Sequence, residues 1–219
     1  MKILFQGDSI TDGMRYKDPA KAWDKNNQIG HSYVYVINAL LGSEFPERNY
    51  EVVNRGISAN KVMDLLNRWD ADALEINPDV LSILIGTNDV CYYFPEDADD
   101  LEMNGFRERY HTILSRSREK NPALRLILLE PFGYVDEQDA KGTPELRTTK
   151  LRNAQRIVRE LAEEFDAIFV PLQETFDQAR KQYPSRYWIW DGIHPTEAGH
   201  GLIVREFLKC TKELFGYTL

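Results

Sequence analysis

The chain has 219 residues, 42% apolar and 28% charged, as in a water-soluble globular domain long enough to bury a substantial core. Its formal net charge is -8 and its pI about 5.1, with no basic stripe, which argues against a nucleic-acid surface. Cys91 and Cys210 stand far apart without CxxC partners, so they read as two buried thiols rather than a disulfide framework or a zinc site.

Short apolar runs at 3–5, 52–53, 80–85, 124–129 and 167–170 alternate with stretches of helical spacing. The helical stretches are 33–41, 62–69, 101–117, 146–165 and 198–208. The runs "VLSILI" and "ILLE" are almost continuously apolar, as in strands covered on both faces. The expectation is one domain over residues 1–219, an α/β/α sandwich with five parallel strands in flavodoxin-like order 2-1-3-4-5. No apolar run reaches the roughly 18–20 residues of a membrane span, so no membrane partner is expected. A strand starts at residue 2 or 3, so no leader is expected either, and the chain reads as cytoplasmic.

Open parallel sheets bind ligands beyond the carboxyl ends of their strands. The first strand exits into Gly7-Asp8-Ser9, the second into Asn54-Arg55-Gly56-Ile57-Ser58, the third into Gly86-Thr87-Asn88-Asp89 and the fourth into Glu130-Pro131-Phe132-Gly133. Ser9 needs a base before it can attack a carbonyl. Of His31, His111, His194 and His200, only His194 has the context for that work. It follows Asp191 by three residues in "WIWDGIHPTEAGH", and Pro195 reads as the first residue of the last helix. Asp191 can hold one ring nitrogen while the other faces Ser9. The other three histidines read as packed or surface imidazoles. A tetrahedral intermediate also needs donors, and the candidates are the Ser9 N–H, the Gly56 N–H and the Asn88 amide.

The blocks "GDSIT", "NRGIS", "GTND" and "DGIHP" resemble, in order and across nearly the whole chain, the conserved blocks of the SGNH hydrolases, the GDSL-type lipases and esterases. The resemblance implies an α/β/α fold, no metal or other cofactor, and hydrolysis of acyl esters through an acyl-enzyme. It assigns Ser9, Gly56, Asn88 and His194 to the family's four named positions and Asp191 to the triad acid. The strings "GDSITD", "NRGIS" and "DGIHPTEAGH" are similar to those of carbohydrate acetylesterases, including acetylxylan esterases. The expected substrate is a small-molecule or oligosaccharide acetyl ester, with lysophospholipase, thioesterase and general arylesterase activities as alternatives.

Three other readings compete. The segment 56–60 lacks the second glycine of Gly-x-Ser-x-Gly, so Ser58 is a weak rival nucleophile and reads as a helix cap. Asp8, Asp12, Asp89 and Asp191 could serve a metal-dependent phosphoesterase, but such sites recruit several histidines. Without a metal, Asp8 supports the serine turn, and Asp12 and Asp89 are turn acids. A non-catalytic carbohydrate-binding relative would not need the Ser9, His194 and Asp191 set. The aromatics Trp23, Tyr92, Tyr93, Phe94, Phe132, Tyr134, Tyr187, Trp188 and Trp190 crowd the site-side loops. Trp190, Tyr92 and Trp23 are the candidate sugar contacts, though the same residue types also suit core packing or a homo-oligomer interface. The polar segment 14–29 does not resemble an aliphatic lid.

Overall fold

The apolar runs become the strands β1 (Lys2–Gly7), β2 (Glu51–Asn54), β3 (Val80–Leu84), β4 (Arg125–Leu129) and β5 (Ile168–Val170). The computed structural model describes residues 1–21, 23–91, 100–137 and 143–217. All pairings are parallel, in the order β2-β1-β3-β4-β5, the flavodoxin-like order taken as the expectation. Side chains alternate between faces at period two, which sorts each strand into two cores. Leu4, Leu81, Ile83, Leu126 and Leu128 face one cluster, and Ile3, Phe5, Val80, Leu84, Ile127 and Leu129 face the other.

Helices cover both faces, as right-handed crossovers between parallel strands require. The first cluster takes the apolar faces of α4 (Val62–Asn67), α6 (Asn104–Lys120) and α7 (Pro144–Glu164). The second takes α3 (Tyr33–Glu44), α8 (Gln173–Gln182) and α10 (Glu197–Cys210). Each fully buried Leu or Ile is worth roughly 1.5–3 kcal/mol, so the two clusters dominate the driving force. Local chemistry marks the helix starts. Ser32 accepts from Val34 N–H and Thr196 from Gly199 N–H, while Thr143 caps Leu146 N–H with Pro144 behind it. The buried Trp69 indole is satisfied by Ser117 Oγ at 2.9 Å.

The helices read from spacing are α3, α4, α6, α7 and α10. The sequence reading missed α8, in which Phe176 and Ala179 are the buried residues, too sparse a stripe to register. It also missed the short α1 (Ser9–Asp12), α2 (Lys25–Ile29), α5 (Thr87–Cys91), α9 (Ser185–Trp188) and α11 (Lys212–Phe215). Cys210 is half-buried rather than buried, and its thiol donates to Glu206 Oε1 at 3.7 Å. The Cys91 side chain lies outside the described residues. Among the described residues no helix is long and apolar enough to cross a membrane.

Candidate active site

The site is built where β1 ends. A Cβ on Gly7 would fall 2.3 Å from Thr11 Oγ1 and 2.4 Å from Leu84 O, so glycine is what lets the chain turn at once into α1. Asp8 caps that turn, accepting from Ile10 N–H at 3.0 Å, as expected of a loop-supporting carboxylate. Burial pushes its carboxyl up to about 6, against the lowering pull of the Ile10 bond and of His194. Ser9 is the first residue of α1, and its N–H has no acceptor among the described residues.

His194 arrives from the far end of the chain on a small hairpin. Ile189 and Pro195 form an antiparallel bridge, flanked by Trp190 N–H to His194 O at 3.1 Å and Thr196 N–H to Trp188 O at 3.0 Å. Tyr134 N–H ties Gly192 O to the segment after β4 at 2.9 Å. The expectation that Pro195 opens the last helix is corrected here: Thr196 is the cap and Glu197 the first helical residue. The bridge bonds pass through residues on either side of Pro195, so its missing N–H is not needed there.

Asp191 organises the hairpin tip. Its Oδ1 accepts from Ile193 N–H at 2.9 Å and His194 N–H at 2.7 Å, and its Oδ2 lies 2.6 Å from His194 Nδ1. Burial raises its carboxyl, but the His194 and Ile193 hydrogen bonds outweigh that, and the net shift is downward. An ionised carboxylate only accepts, so Nδ1 carries the proton and Nε2 presents a lone pair. Nε2 stands 2.9 Å from Ser9 Oγ. Trp190 stacks on the imidazole, centroids 5.6 Å apart at 20°, while remaining 56% exposed.

Asn88 lies in the first turn of α5 and donates through Nδ2 to Asn60 O at 3.0 Å, leaving the second amide hydrogen. Gly56 departs from expectation. Its N–H is committed to Asn54 Oδ1 at 2.9 Å, so it is not a free donor. Its lack of a side chain serves packing, because a Cβ would sit 2.4 Å from Asp12 N. Further along the loop Ala59 adopts φ +64, and its N–H has no acceptor among the described residues.

The rival acids are dispersed. Asp12 is a buried hub rather than a turn acid, accepting from Lys17 Nζ, Ser58 N–H and Ser58 Oγ. Ser58 therefore does not cap α4. Lys61 stands at that position, and Asp89 accepts from Val62 N–H with both oxygens. Burial pushes Asp89 up to about 7. Among the described residues no three His, Cys, Asp or Glu side chains converge as a metal set. His200 is largely buried, accepting from Tyr33 N–H, and His111 lies on the surface beside Glu164. Of the aromatics on the site-side loops, Phe132 and Tyr134 pack in the core: Phe132 stacks on Phe176 at 4.3 Å, and Tyr134 donates to Phe176 O. Trp23 is 79% exposed with no ring contact to His194, and Tyr92, Tyr93 and Phe94 lie outside the described residues. The sequence reading also missed Asn54 as a support, although an Asn before the loop glycine is its signal. Its Nδ2 donates to Thr11 O and Ile29 O, pinning α1 and α2 to the end of β2.

The model of the GDSL-like Lipase/Acylhydrolase family matches residues 5–202. The chain belongs to that family. Within it, the activity class is carboxylic ester hydrolysis. The chain is 36% identical over 216 residues to an acetylxylan esterase of Geobacillus stearothermophilus, covering 95% of this chain and 92% of that protein. The solved structure of an acetylxylan esterase from the same organism superposes with a TM-score of 0.75 at 33% identity, over 99% and 94% of the two chains. A GDSL-like lipase structure from Parabacteroides merdae gives a TM-score of 0.83 at 34% identity, over 96% and 94%.

Proposed function

We propose that the chain is a serine esterase that removes acetyl groups from carbohydrate esters. The observation that carries the mechanism is the continuous hydrogen-bonded line Asp191–His194–Ser9. His194 Nε2 takes the Ser9 proton as Oγ attacks the ester carbonyl, and Asp191 stabilises the imidazolium that forms. The developing oxyanion is met by the Ser9 N–H and the uncommitted Asn88 amide hydrogen. His194 then protonates the departing sugar hydroxyl, giving acetyl-Ser9, and activates the water that releases acetate.

The substrate class is supported by the relatives and by one feature of the site. The acetylxylan esterase structures of G. stearothermophilus include two described as catalytic mutants, one altered at a serine and one at an aspartate. In this chain the exposed indole of Trp190, stacked on the base, offers a flat face to a sugar ring. The test compares acetylated xylooligosaccharides with p-nitrophenyl acetate and octanoate. Release of acetate from the oligosaccharides, with acetate far ahead of octanoate among the aryl esters, is the expected result. Octanoate turnover equal to or above that of acetate contradicts the reading.

A further inference from the structure

We infer that Arg68 is a positioning residue for the oxyanion donor Asn88, acting through Asn60. The inference rests on the assignment of Asn88 as that donor. The terminal amide torsion of asparagine is broad, so Asn88 needs an acceptor to fix the direction of its second N–H. That acceptor is Asn60 O, at 3.0 Å. The Asn60 carbonyl belongs to a short turn, closed by Asn60 N–H to Ile57 O at 3.1 Å, and has no strand behind it.

The side chain of Asn60 supplies what the turn lacks. Arg68, just past the end of α4, donates from Nε to Asn60 Oδ1 at 2.9 Å and from Nη1 to Asp72 Oδ2 at 2.7 Å. The guanidinium plane holds these two donors at a fixed angle, which a flexible ammonium cannot copy. Its side chain is 17% exposed, so the Arg68–Asp72 pair is screened less than a surface pair. Asp72 in turn is tied to the sheet, because its carbonyl accepts from Gln6 Nε2 at 2.6 Å, and Gln6 is a fully buried residue of β1. The line therefore runs from β1 through Asp72, Arg68 and Asn60 to Asn88. It links the donor's orientation to the strand that leads into the Ser9 turn.

A second bond reinforces the joint. Val62 N–H donates to Asp89, the neighbour of Asn88, so the loop at Asn60 and the start of α4 are fastened to two successive residues of α5. Asp89 fixes the helix, whereas Arg68 fixes the carbonyl that turns the amide.

The test is a double-mutant cycle on kcat for p-nitrophenyl acetate. Arg68→Ala and Asn60→Ala, made separately, are each expected to lower kcat about 10- to 100-fold with KM within about twofold, as for a misdirected catalytic group. In an Asn88→Ala background, each is expected to change kcat less than about twofold, because the group they orient is gone. Arg68→Lys keeps the charge and is expected to behave like Arg68→Ala. Equal losses in both backgrounds, or full rate in Arg68→Lys, overturn the inference. So does full rate in both single variants alongside a slow Asn88→Ala, and that outcome leaves the oxyanion assignment standing. Full rate in Asn88→Ala overturns both. Asn60→Ala leaves the Arg68–Asp72 pair intact, so it carries the test if Arg68→Ala does not fold.

Discussion

Ser9 and His194 lie 185 positions apart in the chain and 2.9 Å apart in the structure. Two local devices bring them together: the glycine turn at the end of β1 and the bridged hairpin before α10. Neither device depends on the other, so the site can be dismantled one group at a time without unfolding the sheet.

Ser9→Ala removes the proposed nucleophile and a single hydrogen bond. Its Oγ contacts His194 and supports no helix cap, so melting temperature is expected to change little. The expected loss in kcat is about 10⁴-fold or more, measured on p-nitrophenyl acetate with circular dichroism confirming the fold.

Asp191→Asn tests orientation rather than charge alone. The amide oxygen can still accept from the Ile193 and His194 N–H groups, so the hairpin is expected to persist. The imidazole loses the acceptor that fixes its tautomer. A loss of about 10⁴-fold in kcat at neutral pH is expected. A loss under tenfold would remove Asp191 from the triad.

Asn88→Ala is expected to lower kcat about 10²- to 10³-fold with KM nearly unchanged, because the proposed donor would act on charge that develops only in the transition state. Steady-state kinetics on a single aryl ester separates the two parameters.

Asp89 gives a pH-dependent stability. Burial, outweighing the Val62 bond, holds its carboxyl at about 7 in the folded chain, against 3.8 for the free side chain. Between those values the folded state keeps a proton that the unfolded state has lost, so stability falls as pH rises through that window and levels off above it. Asp89→Asn cannot ionise and keeps an oxygen for Val62 N–H. Its advantage in melting temperature over the parent chain is expected to be larger at pH 8 than at pH 4.5. An advantage that does not change with pH contradicts the assignment.

Much of this was legible in the sequence because it depends on local pattern. Continuous apolar runs identify strands covered on both faces, and "DGIHP" places an acid three residues from a base on a loop. What escaped depends on long-range partners. Gly56 reads as a donor until Asn54 Oδ1 is seen to occupy its N–H. Asp12 reads as a turn acid until Lys17 and Ser58 converge on it. Phe132 and Tyr134 are counted among the aromatics crowding the site-side loops, with core packing left open; α8, too sparsely apolar to be recognised, packs on them through Phe176. Trp190 could be proposed as a sugar contact from its place beside Asp191, but its stacking on His194 appears only when the hairpin closes.

That stacking makes Trp190 a discriminating variant. Trp190→Ala is expected to raise KM for acetylated xylooligosaccharides about tenfold while changing KM for p-nitrophenyl acetate much less, since only the former has a sugar ring to stack. Equal effects on both would assign the indole to the imidazole alone.

The most direct test of the central claim is covalent. The chain is treated with a fluorophosphonate and mapped by peptide mass spectrometry while acetate release from acetylated xylooligosaccharides is followed. A single adduct on Ser9, rising in step with the loss of activity, is the predicted result. Full activity with Ser9 labelled, or inactivation with the adduct on Ser58 or elsewhere, would contradict it.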